Sequence, residues 1–411
     1  MTTSTSERRP SRGAGPRPGR RGSEASGGET AGDGPGAPPP GAGRRVAVAR
    51  GAGGARRRRR ALVALGAAAL LALTACTSRG EPEPAPTTPS PTVDLPAKQP
   101  PKPVPARWPL TGVAGEVQQR PAMSVKVENS AAARPQTGLE AADIVWEEMV
   151  EGGITRFNAV YHSVIPEEIG PIRSVRPMDA AISAPLHGLL VFSGGQPRFV
   201  QQMRGAGLQV LSHDEGAPGM HRVGFRRAPH NVYGNGPQLL GQADSDHSAP
   251  PSEQLAYAWD PARATAVLAG APASSLRLAF PAAAPGWTWD AAADQGRGGP
   301  AGGWVRDEGG AAQASAAGTP IVATNVVVLR VQVVDTGTRD PAGNPVPETV
   351  LTGEGEAVVA SGGKVVNARW SKPGAADPLA LVDGAGKKVE LVPGNTWIEL
   401  VPTSGGNVSW Q

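Results

Sequence analysis

A short apolar run near the N-terminus most constrains what this chain can fold into. Five arginines at 56–60 precede fifteen apolar or small residues at 61–75, and Cys76 follows directly. This order is typical of an export signal, and the run is shorter than the roughly 20 residues that a membrane-spanning helix needs. Because Cys76 is the only cysteine, no disulfide can form within the chain. A folded body must therefore be stabilised by its core alone.

The cysteine at the end of the apolar run predicts a lipid anchor. The stretch Leu73–Cys76 reads Leu-Thr-Ala-Cys and resembles the bacterial lipobox. The resemblance implies cleavage before Cys76, lipidation of its thiol, and attachment to the extracytoplasmic face of the cell membrane. The alternative is a buried cysteine in a short hydrophobic helix, for which the flanking residues are atypical.

The segments on either side of the signal at 56–75 lack the pattern of a folded domain. Residues 1–55 are rich in Arg, Gly and Pro, which predicts disorder. Residues 76–107 hold the cysteine and a proline-rich tether, which at about 3.1 Å per residue spans on the order of 90 Å.

The positive charge of the chain is concentrated near its start. Residues 1–60 carry 14 Arg and 4 acidic residues, a net of +10, while the whole chain carries +4, which leaves −6 for residues 61–411. An acidic body argues against nucleic acid as a partner.

The remaining sequence predicts an α+β protein with two domains. In residues 108–245, short apolar strands alternate with helical segments, which indicates a mixed α/β domain. In residues 255–411, β-like runs are separated by turns rich in Gly, Pro and Asn, which indicates a β-rich domain. Within these regions we expect long loops in 282–318, a strand at Lys387–Val392 and a capping box at Thr137–Glu140 that opens a short helix.

Several motifs resemble the YerB-like family of bacterial lipoproteins. They span about 120 to 410 and comprise Ser124–Asn129, Arg134–Gly138, Ala142–Val145, Glu151–Phe157, Gly170–Pro177, Arg227–Tyr233, Asn325–Val328, Gly353–Gly355 and Pro393–Ile398. The resemblance implies a lipobox, a linker, an N-terminal domain of unknown function and a β-rich C-terminal domain. It implies no biochemical activity, so function must be argued from the residues.

Two arginines before a predicted helix are candidates for anion binding. Arg173 and Arg176 flank Ser174, and two guanidinium groups beside a helix start can bind phosphate or carboxylate. The structural alternative is that each arginine pairs with an acidic neighbour such as Glu151 or Asp143, or with loop carbonyl groups.

A glycine-containing turn offers a second candidate. Ser193, Gly194 and Gly195 follow an apolar strand and precede a helix, so backbone N–H groups could approach a ligand there. The turn lacks the endings of a P-loop or a dinucleotide fingerprint and is not a nucleophile elbow. A tight turn without a ligand is the alternative.

Polar residues near position 230 offer a third candidate. His230 could act as a general base, and Asn231 with Tyr233 could hydrogen-bond a sugar. The alternative is a histidine that fixes its own loop.

Acidic residues around a Gly-Gly turn complete the set of candidates. Glu151 and Arg156 flank the turn, and Glu147 and Glu148 precede it. These carboxylates also fit a solvated face. The six histidines show no metal-binding spacing, so we expect neither a metal nor a cofactor.

Together these features predict an envelope lipoprotein that binds, without catalysis, an anionic or sugar-bearing envelope component or a protein partner. The alternative is a hydrolase or transferase acting on a phosphate- or carboxylate-bearing substrate, in which Arg173 and Arg176 clamp the anion and His230 is the acid/base. Convergence of these residues with Ser193 in one pocket would favour binding or catalysis. Arginines held in buried ion pairs would favour a structural role.

Overall fold

Strands dominate the part of the chain that the computed structural model describes, residues 104–293 and 299–411. The predicted signal at 56–75, Cys76 and the tether up to residue 103 lie outside those residues. The described strands are β1 (Met123–Glu128), β2 (Ile144–Met149), β3 (Thr155–Tyr161), β4 (Glu168–Ile169), β5 (Leu189–Phe192), β6 (Gln209–Ser212), β7 (Met220–Arg222), β8 (Val232–Asn235), β9 (Ala271–Pro272), β10 (Ser275–Ala279), β11 (Pro285–Asp290), β12 (Gly303–Glu308), β13 (Ala311–Ala312), β14 (Val322–Ala323), β15 (Asn325–Arg339), β16 (Pro345–Val350), β17 (Gly353–Ser361), β18 (Lys364–Lys372), β19 (Ala380–Asp383), β20 (Thr396–Pro402) and β21 (Asn407–Trp410).

The helices are few and short. They are α1 (Asp179–Ser183), α2 (Pro197–Gly205), α3 (Gly236–Leu240) and α4 (Thr265–Ala269), supplemented by single turns of 3-10 helix. Within the described ranges, none of the helices has the length and apolar character needed to cross a bilayer.

One sheet of twelve strands contains strands from both halves of the sequence. Its order is β19-β18-β17-β15-β20-β2-β3-β1-β5-β6, with β16 paired to β15 and β9 to β18. The halves meet where β2 runs parallel to β20, with Ile144 opposite Thr396 and Glu147 opposite Glu399. A smaller sheet has the order β13-β12-β11-β10-β21 with β14 on β12, and β4-β8-β7 form a third.

The alternation of side chains along β15 explains why both faces of the large sheet are covered. Val326 and Val328 belong to one hydrophobic cluster, whereas Val327 and Leu329 belong to another. Residues two apart on a strand share a face, so a continuous apolar run buries both faces. Each fully buried valine or leucine contributes about 1.5–3 kcal/mol.

The expectation of long loops across 282–318 missed three strands. This stretch contains β11, β12 and β13, and Trp287 and Trp304 are fully buried in the core. Tryptophans spaced along the run anchor the strands. Residues 294–298 lie outside the described ranges.

Two smaller expectations also fail for local reasons. Lys387–Val392 forms only isolated bridges at Lys388 and Leu391, because its apolar side chains pack onto the core without extended pairing. The helical turn Leu139–Ala141 is preceded by Gly138 at φ +77° and not by a threonine cap. The Thr137 backbone is instead paired with Gly170, so the chain is still in a bridge one residue before the N-cap Gly138.

The three-stranded sheet positions one long hairpin. Strands β7 and β8 pair from Met220 opposite Gly234 to Arg222 opposite Val232. The Val223 N–H donates to the Asn231 carbonyl, so the residues between them form a loop, called here the 223–231 loop.

Candidate functional site

Three arginines meet two glutamates and a histidine where β1 and β3 approach the segment before α1. We call these six residues the arginine cluster. Its members are Arg156, Arg173, Arg176, Glu128, Glu151 and His230. Glu128 and Arg156 are direct cross-strand neighbours in the β1–β3 pair, so strand register brings the first charges together.

Arg176 is held in an ion pair. Its Nε donates to Glu151 Oε1 at 2.5 Å and its Nη2 to Glu151 Oε2 at 2.6 Å, which is the bidentate geometry of a strong arginine–carboxylate pair. Its Nη1 donates to the Val175 carbonyl at 2.7 Å. The structural interpretation therefore describes Arg176 well.

Arg156 is the buried arginine of the cluster. Its Nη1 donates to the Ser174 carbonyl at 2.7 Å, which fixes the loop that carries Arg173. Burial, together with the nearby charges of Arg176 and Arg173, lowers the pKa of Arg156 to about 10. Each of these two arginines has a larger effect on that pKa than the opposing effect of Glu151 or Glu128. Positive charge is thus in excess at this point.

Arg173 and His230 form the rim of the cluster. Arg173 Nε lies 3.4 Å from Glu128 Oε2, and Nη1 donates to the Pro229 carbonyl at 3.3 Å, so both contacts are long. The His230 Nδ1 lies 2.8 Å from Glu128 Oε1. Side-chain exposures of 22% for Arg173 and 28% for His230 make these two groups reachable from solvent.

The Ser193–Gly195 turn packs against the same loop without joining its charges. Ser174 Oγ donates to the Ser193 carbonyl at 3.0 Å. Gly194 has φ +89°, and a Cβ there would lie 2.9 Å from Ser174 Oγ, so the turn needs glycine for close packing. Gly194 and Gly195 line a cleft of about 200 Å³ with acidic residues and Arg204, and the cluster residues Arg173, Arg176 and His230 do not line it.

Asn231 and Tyr233 stabilise the hairpin. Asn231 Oδ1 accepts from Arg222 Nη1 at 2.7 Å, and the buried Tyr233 hydroxyl accepts from Arg226 Nε at 2.9 Å. Both side chains hold the 223–231 loop in place, which makes them poor sugar ligands.

Sequence reasoning missed a fully buried charge network behind the cluster. Lys126 Nζ lies 2.5 Å from Glu148 Oε1 and 2.7 Å from Asp179 Oδ1, and all three side chains are inaccessible to solvent. Burial and the neighbouring Asp179 raise the pKa of Glu148 to about 7. The interpretation of these glutamates as a solvated face was therefore wrong. Lys126 and Glu128 alternate with valines as on a half-exposed strand, yet every residue of β1 is buried.

A second buried network joins the two halves of the chain. Arg306 Nη2 lies 2.5 Å from Glu147 Oε2, and its guanidinium carbon lies 5.3 Å from the Trp397 ring centroid. Trp287 Nε1 donates to Glu399 Oε1 at 2.9 Å. Burial and the adjacent Glu147 raise the pKa of Glu399 well above its usual range. These groups are out of reach of any ligand.

The chain matches two family models in sequence order. Residues 110–249 match the N-terminal domain, and residues 276–398 the C-terminal domain, of the protein of unknown function DUF3048. The chain belongs to the DUF3048 family. The resemblance inferred from the sequence motifs is thereby confirmed, and the matched regions correspond to a predominantly β-sheet structure.

This DUF3048 protein is similar to YerB of Bacillus subtilis in both sequence and structure. A protein named "Putative lipoprotein YerB" is 39% identical over 128 residues, which is 30% of this chain and 39% of that relative's length. The crystal structure of YerB superimposes with a TM-score of 0.60 and 24% identity, covering 74% of this chain and 99% of that one. The structural likeness shows a shared fold.

Proposed function

We propose that this protein is a lipoprotein anchored through Cys76 to the extracytoplasmic face of the membrane, with a non-catalytic body that binds an anionic envelope group. The Leu73–Cys76 motif and the lipoprotein name of the relative support the anchor. We retain 108–245 and 255–411 as its two domains, tied together by the shared sheet.

The excess of positive charge in the arginine cluster carries the proposal. Among the side chains of the cluster, three guanidinium groups face two carboxylates, Glu128 and Glu151, while Asp179 behind them pairs with Lys126 and accepts from the Arg176 backbone N–H. Arg156 and Arg176 are committed to short contacts, whereas Arg173 is held only by contacts of 3.3 and 3.4 Å. A phosphate or carboxylate at the rim would relieve the crowding of cations and replace these long contacts with short, charge-assisted ones.

The contacts of the rim support binding over catalysis. His230 is oriented by Glu128, as a general base would be. Yet the nearby glycine cleft contains acidic residues and none of the three cluster residues that would clamp an anion. The rim therefore suits binding of a phosphate-bearing wall polymer or lipid better than it suits catalysis by a nucleophile.

A phosphate titration of the full-length protein in detergent tests the proposal. Inorganic phosphate should raise the melting temperature of the wild type, since a ligand at about 100 times its Kd stabilises by about 2.7 kcal/mol. Arg173→Gln should melt near the wild type but lose this rise. Arg176→Gln should melt lower even without phosphate, because it breaks the pair with Glu151.

The surface pair between Arg204 and Glu215 supplies the control. Arg204→Gln should melt like the wild type and keep the full response to phosphate. An equal response in the wild type and in Arg173→Gln would refute the anion site.

A further inference from the structure

The hairpin beside the arginine cluster is unusually poor in negative charge. From residue 216 to residue 243 the sequence contains no Asp or Glu, although it contains Arg222, Arg226, Arg227, His221 and His230. Two acidic side chains approach from outside this stretch: Glu168 Oε1 lies 3.2 Å from His221 Nε2, and Glu128 Oε1 lies 2.8 Å from His230 Nδ1, so Arg226 and Arg227 have no glutamate of this pair beside them. The distal part of the hairpin, the 223–231 loop, is therefore a cationic surface.

An aromatic side chain projects from the middle of this surface. Phe225 is 73% exposed, and only the edge of its ring meets Tyr233, with centroids 5.7 Å apart. Isolated surface apolar residues are common, but a phenylalanine followed directly by Arg226 and Arg227 presents two complementary chemistries at one place.

The exposure of Phe225 is built into the loop. The adjacent Arg226 donates to the Ala132 carbonyl at 2.7 Å and to the Pro135 carbonyl at 2.6 Å, and also to the Tyr233 hydroxyl. These three bonds fasten the loop to the body next to Phe225. The ring is thus held outward by its neighbour's hydrogen bonds.

The loop and the arginine cluster form one continuous surface. Pro229 of the loop accepts from Arg173, and His230 of the loop contacts Glu128. A partner that covers the loop would therefore also reach the rim where we place the anion.

We propose that this surface docks onto an anionic phospholipid bilayer, with Phe225 entering the interface while Arg227 and Arg173 bind headgroup phosphates. This inference rests on the proposed function and specifies its anionic group. Aromatic rings favour the bilayer interface and cationic side chains favour anionic headgroups. A soluble anionic polymer would use the arginines but would gain nothing from the exposed ring. Because a membrane anchor places the loop at a high effective concentration, weak contacts are sufficient.

Hydrogen–deuterium exchange of the full-length protein reconstituted in vesicles tests this docking. Amides of the 223–231 loop should exchange on the order of tenfold more slowly in vesicles with about 30% phosphatidylglycerol than in neutral phosphatidylcholine vesicles. Phe225→Ala and Arg227→Gln should each abolish most of this difference. Trp259→Ala removes an aromatic side chain that is 60% exposed elsewhere, and it should change nothing. Unchanged exchange in β15 shows that each variant is folded.

Two outcomes would overturn the inference. Equal exchange in both vesicle types, while phosphate still stabilises the wild type but not Arg173→Gln, would remove the membrane and leave the anion site standing. Protection of the loop by soluble polyphosphate on neutral vesicles, unaffected by Phe225→Ala, would assign the surface to an anionic polymer. Loss of the phosphate response together with intact, Phe225-dependent docking would instead refute the proposed anion site and leave docking by the loop.

Discussion

Replacing Arg306 by methionine should destabilise the protein more than any surface change. Arg306 is fully buried and its pair with Glu147 measures 2.5 Å, so its removal leaves a carboxylate without its cation. Breaking a buried pair in this way costs about 3–5 kcal/mol. Glu147 keeps its hydrogen bonds from Thr155 at 2.5 Å and Asn129 at 3.3 Å, which places the expected loss in the lower half of that range.

The partner across the strand should behave differently. Burial and the adjacent Glu147 raise the pKa of Glu399 well above its usual range, which favours the protonated form. Glu399→Gln preserves the shape and charge of that form and should change the free energy of unfolding by less than about 1 kcal/mol. As a control, Arg277→Met removes a half-exposed arginine that pairs with Asp307 at 2.7 Å, and it should also cost less than about 1 kcal/mol.

Urea unfolding at pH 7 measures these differences. Arg306→Met should lower the midpoint without changing the slope, whereas Glu399→Gln and Arg277→Met should stay near the wild type. Equal midpoints for Arg306→Met and Arg277→Met would refute the claim that the buried pair holds the two halves together. A large loss in Glu399→Gln would show that Glu399 is ionised.

Two further predictions concern the anchor and the response to pH. Cys76→Ser should lose membrane association in cell fractionation, since each buried methylene of a lipid contributes about 0.8 kcal/mol. The control Thr77→Ser should stay bound. A Cys76→Ser protein that still partitions into detergent would contradict the anchor. The pKa of Glu148 is raised to about 7 in the folded state, so the folded protein holds a proton that the unfolded chain releases above its ordinary pKa of 4.5. The contribution of Glu148 to the free energy of unfolding should therefore be largest below pH 4.5 and should fall by up to about 3 kcal/mol as the pH rises through 7. Glu148→Gln should flatten this decline in urea unfolding between pH 5 and 8. Parallel pH profiles for Glu148→Gln and the wild type would show that Glu148 titrates normally.

The elements with strong local patterns were predictable from sequence. The valine-rich run in β15 and the proline-started α2 are specified by residues within a few positions of each other. The pairing of β2 with β20 is not, because it joins residues about 250 positions apart and no local pattern selects a partner at that separation. The strands within 282–318 were missed because alanine and glycine masked the spaced tryptophans.

The sequence predicted only part of the candidate site, because contacts between residues far apart in the chain leave no local pattern. Sequence placed Arg173 and Arg176 together and offered two roles, and the structure assigns a separate environment to each. Glu151 and Asp143 were both offered as acidic partners for these arginines, and Glu151 pairs with Arg176. Glu128, which contacts both Arg173 and His230, was not among them. Its strand alternates like a half-exposed one, and only the tertiary packing reveals that both faces are covered.

The position of β2 between β3 and β20 has a consequence for synthesis. Thr396–Pro402 follows β2 by about 250 residues, so β2 carries an unpaired edge until that distant strand has been made. Exposed edges are templates for pairing with other chains, and contacts this distant in sequence form slowly. A chain truncated before residue 396 would lose more than its final strands, because its N-terminal region would present that edge permanently. The N-terminal family region therefore depends on a strand of the C-terminal region to cover its edge.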